Sequence, residues 1–137
     1  MTYPRTQMAS AQQKLSDERA VIDVNFAKAT WRDVVELTDT DMPYTVVDVS
    51  SGVANDCFIV DTDPTGTYTV TLPTLADNVG RTLMFINVGS SGNDVTIEGE
   101  ATGENIDGAA DKAISDGETL LLVATTSYGW RSLPLGV

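Results

Sequence analysis

The 137-residue chain fits one ordinary domain, and 42% hydrophobic residues with 11 glycines and 5 prolines make a globular rather than a disordered composition. It has no histidine, one cysteine (Cys57) and a net charge of −12, which excludes a Cys/His zinc centre, a Cys-His pair, a Ser-His-Asp triad and a disulfide framework within one chain. So acidic a chain repels nucleic acid and anionic lipid, and no segment approaches the roughly 20 apolar residues of a membrane span or resembles a signal peptide, so synthesis in a cytoplasm is expected.

Residues 1–40 differ from the rest of the chain. Five bases there nearly balance six acids, leaving −11 of the charge to residues 41–137, where the bases are Arg81, Lys112 and Arg131. This divides the chain into an N-terminal arm or attachment segment (1–40) and a body (41–137). Residues 9–19 have helix-favouring composition, and Met8, Ala11 and Leu15 are spaced to share one face. That stripe is too thin to bury itself, so the arm should pack on the body, bind a neighbour or stay free. Residues 20–26 and 31–37 read as short extended segments carrying Phe26 and Trp31.

The body opens with strands over 44–49 and 56–61, and Cys57 in the run Cys57-Phe58-Ile59-Val60 reads as a small core residue. Residues 61–66 (DTDPTG) are turn chemistry throughout and predict a hairpin. In residues 67–72, Tyr68, Val70 and Leu72 alternate with threonines, the pattern of a strand with one dry and one wet face, ended by Pro73. The strand over 81–88 is different: Leu83 and Phe85 load one face while Met84, Ile86 and Val88 load the other. Gly80 and Gly89 are expected to permit tight reversals around it. Alternation returns at Val95 and Ile97. A short strand and turn are expected at Ile106-Asp107-Gly108 and again at 112–117, a strand apolar on both faces at 118–124 (Leu120 and Leu122 against Leu121 and Val123), and a closing strand through Trp130.

About nine short strands with turns every 8 to 12 residues predict an all-β fold, a small antiparallel β-sandwich or barrel with a distinct N-terminal arm. A sandwich has one inner face per sheet, yet several strands are apolar on both. The second faces are therefore expected to meet other copies of the chain or another protein, with Met84, Ile86, Val88, Leu121 and Val123 as subunit-interface residues. Cover by the chain's own arm or a wrapped loop is the competing account.

The ordered series Phe58-Ile59-Val60-Asp61, Val70-Thr71-Leu72-Pro73, Gly80-Arg81-Thr82, Asn87-Val88-Gly89, Val95-Thr96-Ile97, Ile106-Asp107-Gly108 and Trp130 resembles a β-domain found in tailed-bacteriophage virion proteins: tail fibres, head fibres and capsid decoration proteins. The resemblance covers roughly residues 44–133 and implies a non-enzymatic virion component. Length and the arm favour a decoration or cement protein, expected as a homotrimer, that binds the major capsid protein or another virion protein and stabilises the head shell. Phe26, Trp31 and Arg32 are the expected shell contacts, being the residue types that anchor interfaces. The alternative is a tail-fibre or receptor-binding module recognising a host-surface glycan, which would want Trp130 and Tyr128 exposed together.

No catalytic residue, metal or cofactor is expected. Asp61, Asp63, Glu98, Glu100 and Glu104 could supply a glycosidase pair in principle, but they lie in or beside glycine-containing turns and read as solvated loop acids. Asp61-x-Asp63-x-x-Gly66 lacks the closing glutamate of a calcium loop.

Overall fold

The computed structural model describes residues 34–51 and 55–134. They form nine short strands: β1 (Val34–Leu37), β2 (Tyr44–Thr45), β3 (Cys57–Val60), β4 (Tyr68–Thr71), β5 (Thr82–Asn87), β6 (Val95–Glu98), β7 (Asp111–Ile114), β8 (Thr119–Ala124) and β9 (Trp130–Ser132). A five-stranded sheet, ordered β1-β3-β5-β8-β9, packs on a four-stranded sheet, ordered β2-β4-β6-β7. Helix among the described residues is limited to three 3-10 turns.

The fold is the expected all-β sandwich, but its sheets are mixed rather than antiparallel. From β1 to β6 the chain alternates between sheets, so each of β1 to β4 has as an in-sheet neighbour the strand two places on. A chain that crosses to the far sheet and returns runs in its original direction, and β1-β3, β3-β5, β2-β4 and β4-β6 are all parallel. Only β5-β8, β6-β7 and β8-β9 are antiparallel among the described strands. Residues 61–66 therefore make no hairpin. Asp63 forms the predicted turn, its Oδ1 accepting from the Thr65 and Gly66 amides at 2.8 Å, but the turn carries the chain from one sheet to the other.

The edge strand β1 lies within the segment assigned to the arm. It pairs with β3 along its length and places Leu37 in the core. Ile106 forms isolated bridges to Ala109 and Trp130 instead of a strand, with Asp107-Gly108 as the expected turn, and the stretch over 44–49 shortens to β2 before a 3-10 turn at Val49–Ser51.

The core lies between the sheets. Phe58, Val60, Leu83, Phe85, Leu120, Leu122 and Trp130 from one side meet Tyr68, Val70, Leu72, Val95, Ile97 and Ile114 from the other, all buried. Phe58 and Phe85 stack with ring centroids 5.2 Å apart, and Tyr44 tilts onto Phe58 at 5.8 Å. Two polar side chains tie the ends together. Arg81 is buried and donates to the carbonyls of Val47 (2.6 Å) and Asn55 (2.7 Å), to Asn78 Oδ1 (3.0 Å) and to Asp56 Oδ1 (3.1 Å). Asn87, fully buried at the end of β5, accepts from Thr62 Oγ1 (3.2 Å) and the Gly89 amide (3.0 Å), and donates to the carbonyls of Asn93 and Ile114 (both 3.1 Å). All four hydrogen-bonding positions of its amide are filled, and Ile114 belongs to the opposite sheet. Gly80 has the expected positive φ of 85°. Gly89 is needed for another reason: a Cβ there would collide with the Thr62 side chain.

Candidate interaction surface

The two sheets present unlike outer faces. On the four-stranded sheet, residues pointing away from the core are Thr45, Thr69, Thr71, Thr96, Glu98, Asp111 and Ala113, a wet face in which Thr71 Oγ1 donates to Glu98 Oε1 at 3.1 Å. On the five-stranded sheet, alternation turns Leu83, Phe85, Leu120 and Leu122 inward and leaves Met84, Ile86, Leu121 and Val123 partly exposed outside.

Strand register arranges that outer face in rows. The middle row crosses β1, β3, β5 and β8 as Val34, Cys57, Met84 and Leu121 and ends on Leu133, just past β9, placed by the hydrogen bond its amide N–H donates to the Leu121 carbonyl. One flanking row is Glu36, Ile59, Ile86 and Thr119, and the other is Thr82, Val123 and Arg131. The result is an apolar centre with Glu36 at one corner and Arg131 at the diagonally opposite one. Val34 and Leu133, at the two ends of the middle row, are 52% and 40% exposed.

Four of the five sequence-predicted interface residues, Met84, Ile86, Leu121 and Val123, thus share one face. Val88 follows β5 in the same phase, bonded through its amide to the Val60 carbonyl, and is 50% exposed. Phe26, Trp31 and Arg32 lie outside the described residues. Cys57 is corrected: it sits on the outer face beside Met84, half-buried, and not in the core. Burial pushes its thiol pKa up. Val34, Cys57, Ile59 and Leu133 complete the face and were missed, although the alternation of Cys57 and Ile59 with Phe58 and Val60 carried the signal.

Of the acids considered for catalysis, Asp63 is at the other end of the four-stranded sheet from Glu98, while Glu100 and Glu104 bond the consecutive residues Thr74 and Leu75. Register places Tyr68 and Val95 at one end of the four-stranded sheet and Thr71 and Glu98 at the other. Asp63, whose backbone N–H donates a hydrogen bond to the Tyr68 hydroxyl, is therefore at the opposite end from Glu98. Glu104 Oε1 accepts from the Leu75 amide at 3.2 Å, and Glu100 from the Thr74 hydroxyl. Among the described residues, no group of three acidic, cysteine or histidine side chains is placed to hold a metal ion. An open cleft is lined by Thr45, Val46, Val47, Asp48, Pro73 and Glu100, where Asp48 Oδ1 accepts from Asn78 Nδ2 (2.9 Å) and the Thr74 amide (3.2 Å).

One corner is strongly ionic. Asp107, at φ 52°, accepts from Lys112 Nζ (2.8 Å), the Ser132 amide (2.9 Å) and the Ser132 hydroxyl (2.5 Å), with Arg131 Nε at 3.6 Å. The Lys112 hydrogen bond, followed by that of the Ser132 hydroxyl, holds its carboxyl well below the usual range. This corner pins β9, and with it Arg131, to the rim of the apolar face.

No protein-family model matches the sequence, and neither does any curated protein. Among solved structures, the chain is similar to a crystal structure of enterohemorrhagic E. coli StcE(132-251), with 16% identity over 73% of this chain and 86% of that one and a TM-score of 0.43.

Proposed function

We propose that the chain is a non-enzymatic structural protein of a tailed-bacteriophage virion, a decoration or cement protein that binds the head shell and stabilises it as a homo-oligomer. The observation that carries this reading is the contrast between the two outer faces, one lined with threonine and acid and the other with an apolar centre over β3, β5 and β8. A molecule built this way keeps its wet side to solvent and buries its apolar side on assembly. The phage-like order of strand motifs supplies the setting, and the near-neutral N-terminal segment with Phe26, Trp31 and Arg32 supplies the shell contact. Stabilisation then consists of added buried interface between neighbouring shell subunits, with no bond made or broken.

The glycan-binding alternative wanted an aromatic platform at Trp130 and Tyr128. Trp130 is 0% exposed and only Tyr128, at 77%, faces solvent, which favours the shell-binding reading. The test is co-sedimentation with purified phage shells that lack the protein. Wild type pellets with the shells and raises their heat resistance, while Trp31→Ala loses both effects with an unchanged circular dichroism spectrum. Wild type remaining in the supernatant at saturating shell concentration overturns the proposal.

A further inference from the structure

We infer that two copies of the chain pair face to face through the outer surface of the five-stranded sheet, about a two-fold axis over Met84 that sets Glu36 of each copy against Arg131 of the other. This rests on the reading that the apolar face is buried on assembly, and it names the occupant. Met84 lies on the central strand, in the middle row. Glu36 is two strands to one side and one row up, and Arg131 is two strands to the other side and one row down. With strands about 4.8 Å apart and rows about 6.6 Å apart, the two charges lie at equal and opposite displacements from Met84, roughly 23 Å from each other.

A pattern with that symmetry can complement itself. A two-fold axis in the interface plane, perpendicular to the line from Glu36 to Arg131, exchanges the two positions between copies and forms both ion pairs at once. It also stacks apolar centre on apolar centre, so that the acidic body meets no like charge in the middle of the contact. The strands of the two sheets then cross at roughly 70°, nearer the orthogonal than the aligned class of sheet packing. The twelve positions of the three rows, at about 4.8 by 6.6 Å each, give a footprint of roughly 400 Å² per copy, and about 800 Å² for the pair is the size of a weak, reversible contact. Such a contact closes on itself as a pair. A trimer would require the same face to meet a different patch.

The experiment is sedimentation velocity and light scattering on the full chain, over roughly 1 to 200 µM, where an interface of this size dissociates. Wild type is expected to be a reversible dimer. Glu36→Arg and Arg131→Glu each weaken it roughly ten-fold, because each reversal sets like charges together on both sides of the axis. The double reversal restores the wild-type constant, and its recovery separates pairing from any effect of Arg131→Glu on the Asp107 corner. Met84→Glu, which sets two carboxylates together on the axis, gives a monomer with the parent circular dichroism spectrum. A wild-type monomer overturns the pairing. If its Met84→Glu variant also melts lower, the face is covered by the chain's own N-terminal segment. A trimer overturns it as well, as does a dimer indifferent to the charge reversals or one not rescued by the double variant. A monomer that still pellets with shells removes the pairing and leaves the virion proposal standing, whereas a dimer that ignores shells does the reverse.

Discussion

Asp107 shows how one residue fixes a corner of the fold. Its left-handed backbone suits aspartate, asparagine or glycine, and its carboxylate joins Lys112 on β7 to Ser132 on β9. Because the folded-state carboxyl is held below its unfolded value, its contribution is complete above about pH 4 and is lost progressively as pH falls toward the folded value. Asp107→Asn keeps the backbone preference and removes the charge. It should cost about 1–2 kcal/mol at pH 7 by urea denaturation, and its deficit against wild type should narrow only below about pH 4. A deficit constant from pH 7 down to about pH 2 would show that the ionised carboxylate is not what matters. The sequence marked Ile106-Asp107-Gly108 as a turn, but Lys112 and Ser132 become its partners only through the tertiary fold. Asn87 is similar. Its local bond to Gly89 was legible from the Asn-x-Gly spacing, whereas its bond to Ile114 in the other sheet was not.

At the scale of the strand, double-sided patterns were the most informative feature of the sequence. The alternation in β5 and β8 identified both the core face and the apolar outer face, since period-2 spacing assigns sides without knowledge of topology. It also separates two kinds of substitution. Phe85→Ala removes a fully buried ring stacked on Phe58 and should destabilise by roughly 3–5 kcal/mol, while Ile86→Ala, one residue on and outward-facing, should cost about 1 kcal/mol or less in the dissociated chain. Equal losses in denaturant titrations at low concentration would mean that the outward face is packed within the single chain. Strand direction was not legible. The Asp61–Gly66 segment has the composition of a hairpin turn, and local chemistry that reverses a chain cannot specify whether it lands beside its predecessor or across the core. Cys57 was misplaced for a related reason: alternation divides the run Cys57-Phe58-Ile59-Val60 into two faces, but with both apolar the smaller Cys57 and Ile59 were not recognised as the outward pair.

For the whole molecule, composition excluded most chemistries and charge distribution separated an acidic body from a balanced leading segment, but neither could show that β1 joins the body's sheet. That followed only from its parallel pairing with β3. The alternating path of the first six strands governs how the molecule is assembled in time as well as in space. Consecutive strands are in-sheet neighbours only at β6-β7 and β8-β9, so the N-terminal half has no local pair from which to start, and every closure there spans the strand between. Folding should be slow for the chain's size, on the order of milliseconds to seconds, with its nucleus in the C-terminal hairpins. In stopped-flow experiments, Leu122→Ala should chiefly retard refolding, whereas Leu37→Ala should chiefly hasten unfolding. The reverse partition would place the earliest structure at β1. The first strands to leave a ribosome are then the last to find their places.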